Sequence, residues 1–203
     1  MDFEIPNWEE IEGYIRELAL KISDSKNNFD AIVCIWRGGA CPSRLLSDFL
    51  NIDTIYNITI KYYEDIQQQK VKPIIIQQMQ TDLTGKNILI IDDVSDSGDS
   101  LIAAKNFCEI QKCASITTAT IYIKSWTKFI PDFYVKKTEA WIIFPWECIE
   151  MLEKLTQKNL IEGKDLEEIK HELLSMGFKK AQVEFYFSMR QYLRKQHNIF
   201  NST

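Results

Sequence analysis

The stretch ILIIDDVSDSGDSL, residues 88–101, ends a hydrophobic run on two adjacent aspartates, Asp92 and Asp93, and continues through a loop of serine, aspartate and glycine. Neighbouring carboxylates at the end of a buried strand repel each other, and the cost grows as water is withdrawn. Such a pair is placed to meet something polar or cationic. A strand that runs through a glycine-containing loop into a helix is a recurring phosphate cradle. Loop N–H groups converge there, and the helix N-terminus adds about half a positive charge. Ser95, Ser97 and Ser100 offer hydroxyl donors, and Gly98 permits a close approach or a positive φ. Asp92 and Asp93 are suited to accept hydrogen bonds from a sugar diol or to hold Mg²⁺. A ligand with a phosphate at one end and vicinal hydroxyls at the other, such as a ribose 5-phosphate, satisfies both halves of the stretch. Capping of the next helix by Ser97 or Asp99 is a plainer account of the loop, but it leaves Asp92 and Asp93 unexplained. Two other phosphate-binding folds are excluded, because neither G-x-x-x-x-G-K-[ST] nor G-x-G-x-x-G occurs in the chain.

The scaffold for these residues reads as alternating strands and helices. PNWEEIEGYIRELALKI predicts a helix capped by Asn7 with Glu10 three residues on, its apolar side formed by Trp8, Ile11, Ile15, Leu18, Ala19 and Ile22. DAIVCIW reads as a buried strand, RGGACP as a tight loop, and SRLLSDFL as a helix with Leu45, Leu46, Phe49 and Leu50 on one side. TIYNITIKYY, PIIIQQ, NILIIDD and SITTATIYI read as strands, DSLIAAKNFCEI as a helix, and DFYVKK with AWIIFP as a late strand pair. The polar EDIQQQKVK between them predicts a long loop. This alternation argues for an α/β fold with a mostly parallel sheet flanked by helices. From about residue 147 only helical patterns remain. LEEIKHELLSM and KKAQVEFYFSMRQYLRKQ form a predicted hairpin, with Gly177 ending its first helix and the tail HNIFNST fraying. The expected organisation is therefore a domain over 1–150 and an all-helical extension over 151–203.

Bulk properties narrow the function. A net charge of −5 argues against a dedicated nucleic-acid binder. No apolar run reaches the roughly 20 residues of a membrane span, and the acidic MDFEIPNWEE is unlike a signal peptide. Five cysteines without close metal-type pairs read as reduced thiols of a cytoplasmic protein. His171 and His197, both late in the chain, leave no basis for a histidine triad or histidine metal site.

The acidic stretch resembles the binding motif for phosphoribosyl pyrophosphate (PRPP) in type I phosphoribosyltransferases: a hydrophobic strand, two acids, then D-[ST]-G-x-[ST]. Upstream, AIVCIWRGGACPSRLLSDFL is similar to the pyrophosphate-loop region of the xanthine-guanine group. Downstream, TATIYIKSWTKFIPDFYV and WIIFPWE look like that group's purine pocket. The likeness covers roughly residues 30–150 in the family's motif order.

The resemblance implies a PRPP site in which Asp92 and Asp93 hydrogen-bond the ribose hydroxyls. Asp93 would lie nearest a Mg²⁺ cofactor, and Ser95, Asp96, Ser97, Gly98, Asp99 and Ser100 would cradle the 5-phosphate. Arg37, Gly38 and Gly39 would meet pyrophosphate, in a loop that in the family often holds a non-proline cis peptide. Asp96 matches the catalytic aspartate near N7 of the purine, Lys124 the lysine that donates to the 6-oxo group, and Trp141 the ring that stacks on the base, with main chain around Ile142 completing recognition. Residues 62–72 take the place of a flexible lid. Some departures stand out. Ser97 replaces a more usual threonine, and Trp36 a serine. No basic residue occurs among Gln77, Gln78 and Gln80 before Lys86, which leaves Arg37, Lys70, Lys72 or a neighbouring subunit to hold pyrophosphate. The implied activity is purine phosphoribosyl transfer from PRPP to hypoxanthine, guanine or xanthine by a homodimer or homotetramer. The alternative is a non-catalytic PRPP or nucleotide sensor acting through its C-terminal helices, where Lys179, Lys180, Arg190, Arg194 and Lys195 read as a solvated basic strip.

Overall fold

A computed structural model describes residues 2–65, 70–77 and 81–200. In chain order the elements begin β1 (Phe3–Glu4), α1 (Trp8–Asp24), β2 (Ala31–Trp36), α2 (Ala40–Leu50), β3 (Ile55–Asp65), β4 (Lys70–Gln77) and β5 (Asn87–Ser95). They continue α3 (Asp99–Ile110), β6 (Ser115–Lys124), β7 (Phe133–Thr138), β8 (Trp141–Ile142), α4 (Cys148–Ile161), α5 (Leu166–Ser175) and α6 (Lys180–Phe200). Two compact bodies result: Glu9–Glu139, and Met1–Trp8 together with Ala140–Thr203.

The first body holds a six-stranded sheet in the order β4-β3-β2-β5-β6-β7, parallel except for the β3–β4 edge pair. β2 is buried from Ala31 to Ile35 and β5 from Ile88 to Asp93, so side chains pointing both ways are covered. This is why their sequences are continuous apolar runs rather than alternating ones. Leu101, Ala104, Phe107 and Cys108 of α3 pack with Ala31, Val33, Ile35, Ile58, Ile88 and Ile90. Tyr14 of α1 meets Tyr122 of β6 edge-on at 5.9 Å, a favourable aromatic geometry. α2 begins at Ala40, inside the segment expected to be loop, and Pro42 sits in its first turn, where no intrahelical donor is required. Its buried face is Pro42, Ser43, Leu46 and Ser47, whereas Phe49 of the expected apolar side is exposed.

The region around the expected lid needs a correction. β3 and β4 pair antiparallel from Thr59↔Gln77 to Asp65↔Lys70, so residues 62–65 and 70–72 are strand and not loop. Ladder hydrogen bonds come from the backbone and form without an apolar period, which is why polar EDIQQQKVK gave no strand signal. Residues 66–69, the middle of the expected lid, lie outside the described residues, as do Gln78 and Gln80. The late strand pair is also corrected. β7 adds to β6 in parallel, while β8 joins β1, with the Trp141 and Ile143 N–H groups donating to the Asp2 and Glu4 carbonyls at 2.8 Å. A two-residue strand has too little sequence to announce itself.

The second body is built on that β1–β8 pair and α4, α5 and α6, around Ile143, Cys148, Leu152, Ile169, Leu173, Phe178, Val183 and Tyr186. α5 opens with a capping box: Asp165 accepts from the N–H groups of Glu167 and Glu168, and its own N–H donates to Glu168. It closes as expected at Gly177, whose φ of +103° allows its N–H to reach Leu174 O and that of Phe178 to reach Leu173 O. Arg190 of the expected solvated strip is instead drawn in beside Glu153, which also accepts from Tyr186. Burial and this bond push the Tyr186 hydroxyl up to about 12. Residues 197–200 continue α6 rather than fraying, and 201–203 lie outside the described residues. No helix among the described residues is long and apolar enough to cross a membrane.

Candidate active site

In the sheet order, β3 lies on one side of β2 and β5 on the other. The chain leaving β2 turns one way and the chain leaving β5 the other. Open parallel sheets bind ligands in the crevice at the carboxyl ends of such strands. β2 ends at Trp36 and β5 at Ser95, so Arg37-Gly38-Gly39 and the segment 92–100 emerge side by side at that crevice.

The two segments touch, and the glycines make this possible. A Cβ on Gly38 would stand 2.3 Å from Asp93 Oδ2, and one on Gly39 only 2.4 Å from the Ile91 carbonyl oxygen. The peptide between Trp36 and Arg37 is cis, as the resemblance implies. Arg37 is exposed at the rim. Asp92 and Asp93 are buried, and Asp92 Oδ1 accepts the Asp93 N–H at 3.0 Å. Nearby thiols register this environment: burial, with the negative charges of Asp92 and Asp93 adding to it, pushes Cys34 up to about 11. Cys41 is raised by burial and by Asp93. Among the described residues no cluster of three or more His, Cys, Asp or Glu could hold a metal unaided. Carboxylate oxygens at a concave strand end nevertheless fit a small hard cation that brings phosphate oxygens with it, the usual mode for Mg²⁺.

The loop after β5 encloses a cavity of about 190 Å³ lined by Asp92, Asp93, Ser95, Asp96, Gly98 and Ser100 among others. Gly98 has φ +86°, and a Cβ there would meet Phe129 at 2.7 Å. Its neighbours hold the loop in shape. The Ser97 hydroxyl donates to Asp99 Oδ2 at 2.8 Å and accepts the Asp99 N–H. The buried Ser95 hydroxyl donates to the Phe129 carbonyl at 2.8 Å and lies 2.8 Å from Thr127 Oγ1. The Lys128 N–H donates to the Ser97 carbonyl at 3.1 Å. Segment 124–129 thus clamps the loop after β5 from the β6 side. Of the hydroxyls expected to face a phosphate, those of Ser95 and Ser97 are engaged within the protein. Backbone N–H groups at the N-terminus of α3 are a further source of donors for an anion.

Lys124 ends β6 and is buried, with its ammonium 5.6 Å from the centre of the Trp126 ring. The Trp126 indole N–H in turn donates to Asp96 Oδ1 at 2.8 Å. Asp96 itself is exposed at the top of the loop. Trp126 and Thr127 were not among the residues legible beforehand; the one signal in sequence is a tryptophan two positions beyond the strand-ending lysine. Lys86 precedes β5, at the opposite end of that strand from Asp93, and packs on Tyr56. The side chains of Lys70 and Lys72 lie outside the described set. Trp141, about half exposed, and Ile142, buried, lie on β8 in the other body. A larger cavity of about 770 Å³ lies between α5 and α6, but its lysines Lys170 and Lys180 are already paired with Glu167 and Glu184, and it has none of the strand-end chemistry.

Comparison with known proteins agrees with this geometry. The phosphoribosyl transferase domain family matches residues 4–150. A xanthine-guanine phosphoribosyltransferase of Cereibacter sphaeroides is 31% identical over 148 residues, covering 70% of this chain and 84% of that protein. The crystal structure of a purine phosphoribosyltransferase from Pyrococcus horikoshii superposes with a TM-score of 0.65 at 35% identity, covering 72% of this chain and 94% of the other. A Helicobacter pylori xanthine-guanine-hypoxanthine phosphoribosyltransferase superposes with a TM-score of 0.63 at 25% identity, over 79% and 99% of the two chains. With the RGG loop set against the acidic strand end of a switch-point sheet, and the family match running through both, the chain belongs to the phosphoribosyltransferase family.

Proposed function

We propose that this protein transfers the 5-phosphoribosyl group from PRPP to an oxo-purine base and releases pyrophosphate. The observation that carries this is the seating of Gly38 and Gly39 directly on the Asp92–Asp93 strand end, below a phosphate-sized loop that carries an exposed carboxylate at Asp96. The catalytic domain would be residues 1–150, which take in the body Glu9–Glu139 and the β1–β8 pair of the other body, with 151–203 as the helical extension.

Asp92 and Asp93 accept hydrogen bonds from the ribose hydroxyls, the loop 95–100 holds the 5-phosphate, and Arg37 with the Gly38–Gly39 backbone meets the pyrophosphate. Mg²⁺, when bound through Asp93 and ligand oxygens, supplies positive charge that stabilises the leaving pyrophosphate. N9 of the base forms a bond to the anomeric carbon as the bond from that carbon to the pyrophosphate oxygen breaks, and the electron pair leaves with pyrophosphate. The proton at N7 passes to Asp96, which keeps the product base neutral. Lys124 donates to the 6-oxo group. Trp141 stacks on the base, and the main chain at Ile142 completes its pocket. No observation favours the sensor alternative.

Release of pyrophosphate from PRPP and Mg²⁺, measured with hypoxanthine, guanine and xanthine in turn, tests this function. Turnover is expected with at least one base and is expected to fall by about two orders of magnitude in Asp96→Asn. PRPP binding without turnover on any base would reject it. The active assembly is a homodimer or homotetramer. The exposed Trp36 and Phe49, large apolar side chains near the pyrophosphate loop and on α2, are a surface that a second copy would cover. Sedimentation equilibrium is expected to give a multiple of the 23.8 kDa chain mass; a monomer at micromolar concentration would rule this out.

A further inference from the structure

We propose that Trp126 is the positioning residue that spaces the two purine-reading groups, and that it sets the rate of the proton transfer at N7. The inference rests on the purine-transfer function above. An oxo-purine presents N7 and the 6-oxo oxygen on one edge, so recognising that edge takes a proton acceptor and a donor at a fixed separation. Asp96 is the acceptor and Lys124 the donor. They come from different strand ends, one in the loop after β5 and one at the end of β6. Asp96 is exposed in a loop, and a short carboxylate there has rotamers of similar energy.

Trp126 joins the two groups. Its indole N–H donates to Asp96 Oδ1 at 2.8 Å, which leaves Oδ2 as the oxygen for the substrate proton. The face of the same ring lies 5.6 Å from the Lys124 ammonium, within the range of cation–π attraction. The tryptophan is itself anchored. The Thr127 N–H donates to the Lys124 carbonyl at 3.2 Å, and the Lys128 N–H to the Ser97 carbonyl at 3.1 Å. The indole is therefore held by the turn that clamps the phosphate loop, and one rigid ring sets the distance between acceptor and donor. At 54% exposure Trp126 buries little surface of its own, so packing does not account for its place.

Two substitutions separate the contacts. Trp126→Phe keeps a ring under Lys124 and removes the N–H, whereas Trp126→Leu removes both. A hydrogen bond to a charged group governs about a tenfold change. Accordingly, kcat in Trp126→Phe is expected to fall about tenfold, with the KM values for PRPP and for the base unchanged. Trp126→Leu is expected to show the same loss in kcat and, in addition, a severalfold higher KM for the base. In an Asp96→Ala background, Trp126→Phe is expected to leave the residual rate unchanged within about twofold, because a residue acting through Asp96 has nothing left to position. Equal losses in both backgrounds, or a raised KM for PRPP, would assign Trp126 to loop structure and overturn the inference. An active parent whose Trp126→Phe variant keeps its full kcat would overturn the inference alone. A parent inactive with every purine would overturn the function and this inference together.

Discussion

Asp93→Asn is expected to lower kcat/KM for pyrophosphate release by about three orders of magnitude and to move Tm by no more than about 4 °C. Two terms are lost together. In the proposed site, the variant would lose both the carboxylate that would orient the ribose and the charge that would hold Mg²⁺ against the leaving pyrophosphate. Removing one oriented electrostatic group at a reacting centre typically costs about 10²–10³, and loss of metal stabilisation adds to this. The fold is spared because asparagine has the same shape, so the space left by Gly38, where a Cβ would stand 2.3 Å from Asp93 Oδ2, stays filled. A stability change of about 1 kcal/mol corresponds to roughly 2–4 °C in a chain of this size. Thermal unfolding beside steady-state kinetics checks the pair of expectations. A Tm that drops by 10 °C or more with the activity would make Asp93 a structural residue.

Gly39→Ala is expected to lower stability by about 3 kcal/mol or more, a drop of roughly 10 °C in Tm. The cause is space rather than backbone conformation. Gly39 has φ −67° and ψ −8°, which any residue adopts, but its Cβ would lie 2.4 Å from the Ile91 carbonyl oxygen and 2.8 Å from that of Ile35. Those oxygens belong to β5 and β2, adjacent strands of the central sheet, and cannot rotate away as a side chain can. The contrasting substitution is Gly13→Ala in α1, where a Cβ meets nothing within 4 Å. Alanine there is expected to raise stability by about 0.5–1 kcal/mol through helix propensity alone. Differential scanning calorimetry of the two variants reads both effects. A Gly39→Ala protein as stable as the parent would mean that the loop does not sit on the strand end.

The second body shows how unevenly structure is written into sequence. α5 is local: Asp165 with Glu168 caps its start and Gly177 ends it at the turn into α6, each within a few residues. β8 is different. Its partner is the two-residue β1, more than a hundred positions away, and nothing about Trp141 or Ile142 states where the N-terminus will lie. The strands of the β3–β4 hairpin were legible, but their extension through Asp65 and Lys70 was not, since those outer rungs are backbone ladder bonds between polar residues that carry no period.

The chemistry at the strand end divides in the same way. Asp92, Asp93, the loop through Ser100 and the Arg37–Gly39 turn were each visible in sequence, because each is a contiguous segment recognisable by its residue types. The sequence by itself determined the parallel α/β architecture and the acidic strand end on which the proposed ligand class rests. Only the tertiary structure decided that the RGG turn rests on Asp93, that Ser95 and Ser97 spend their hydroxyls on the protein, and that Trp126 links Asp96 to Lys124. The physical reason is that contacts between strand ends depend on strand order. Periodicity and local spacing state which residues form a strand, and are silent on which strand lies beside it.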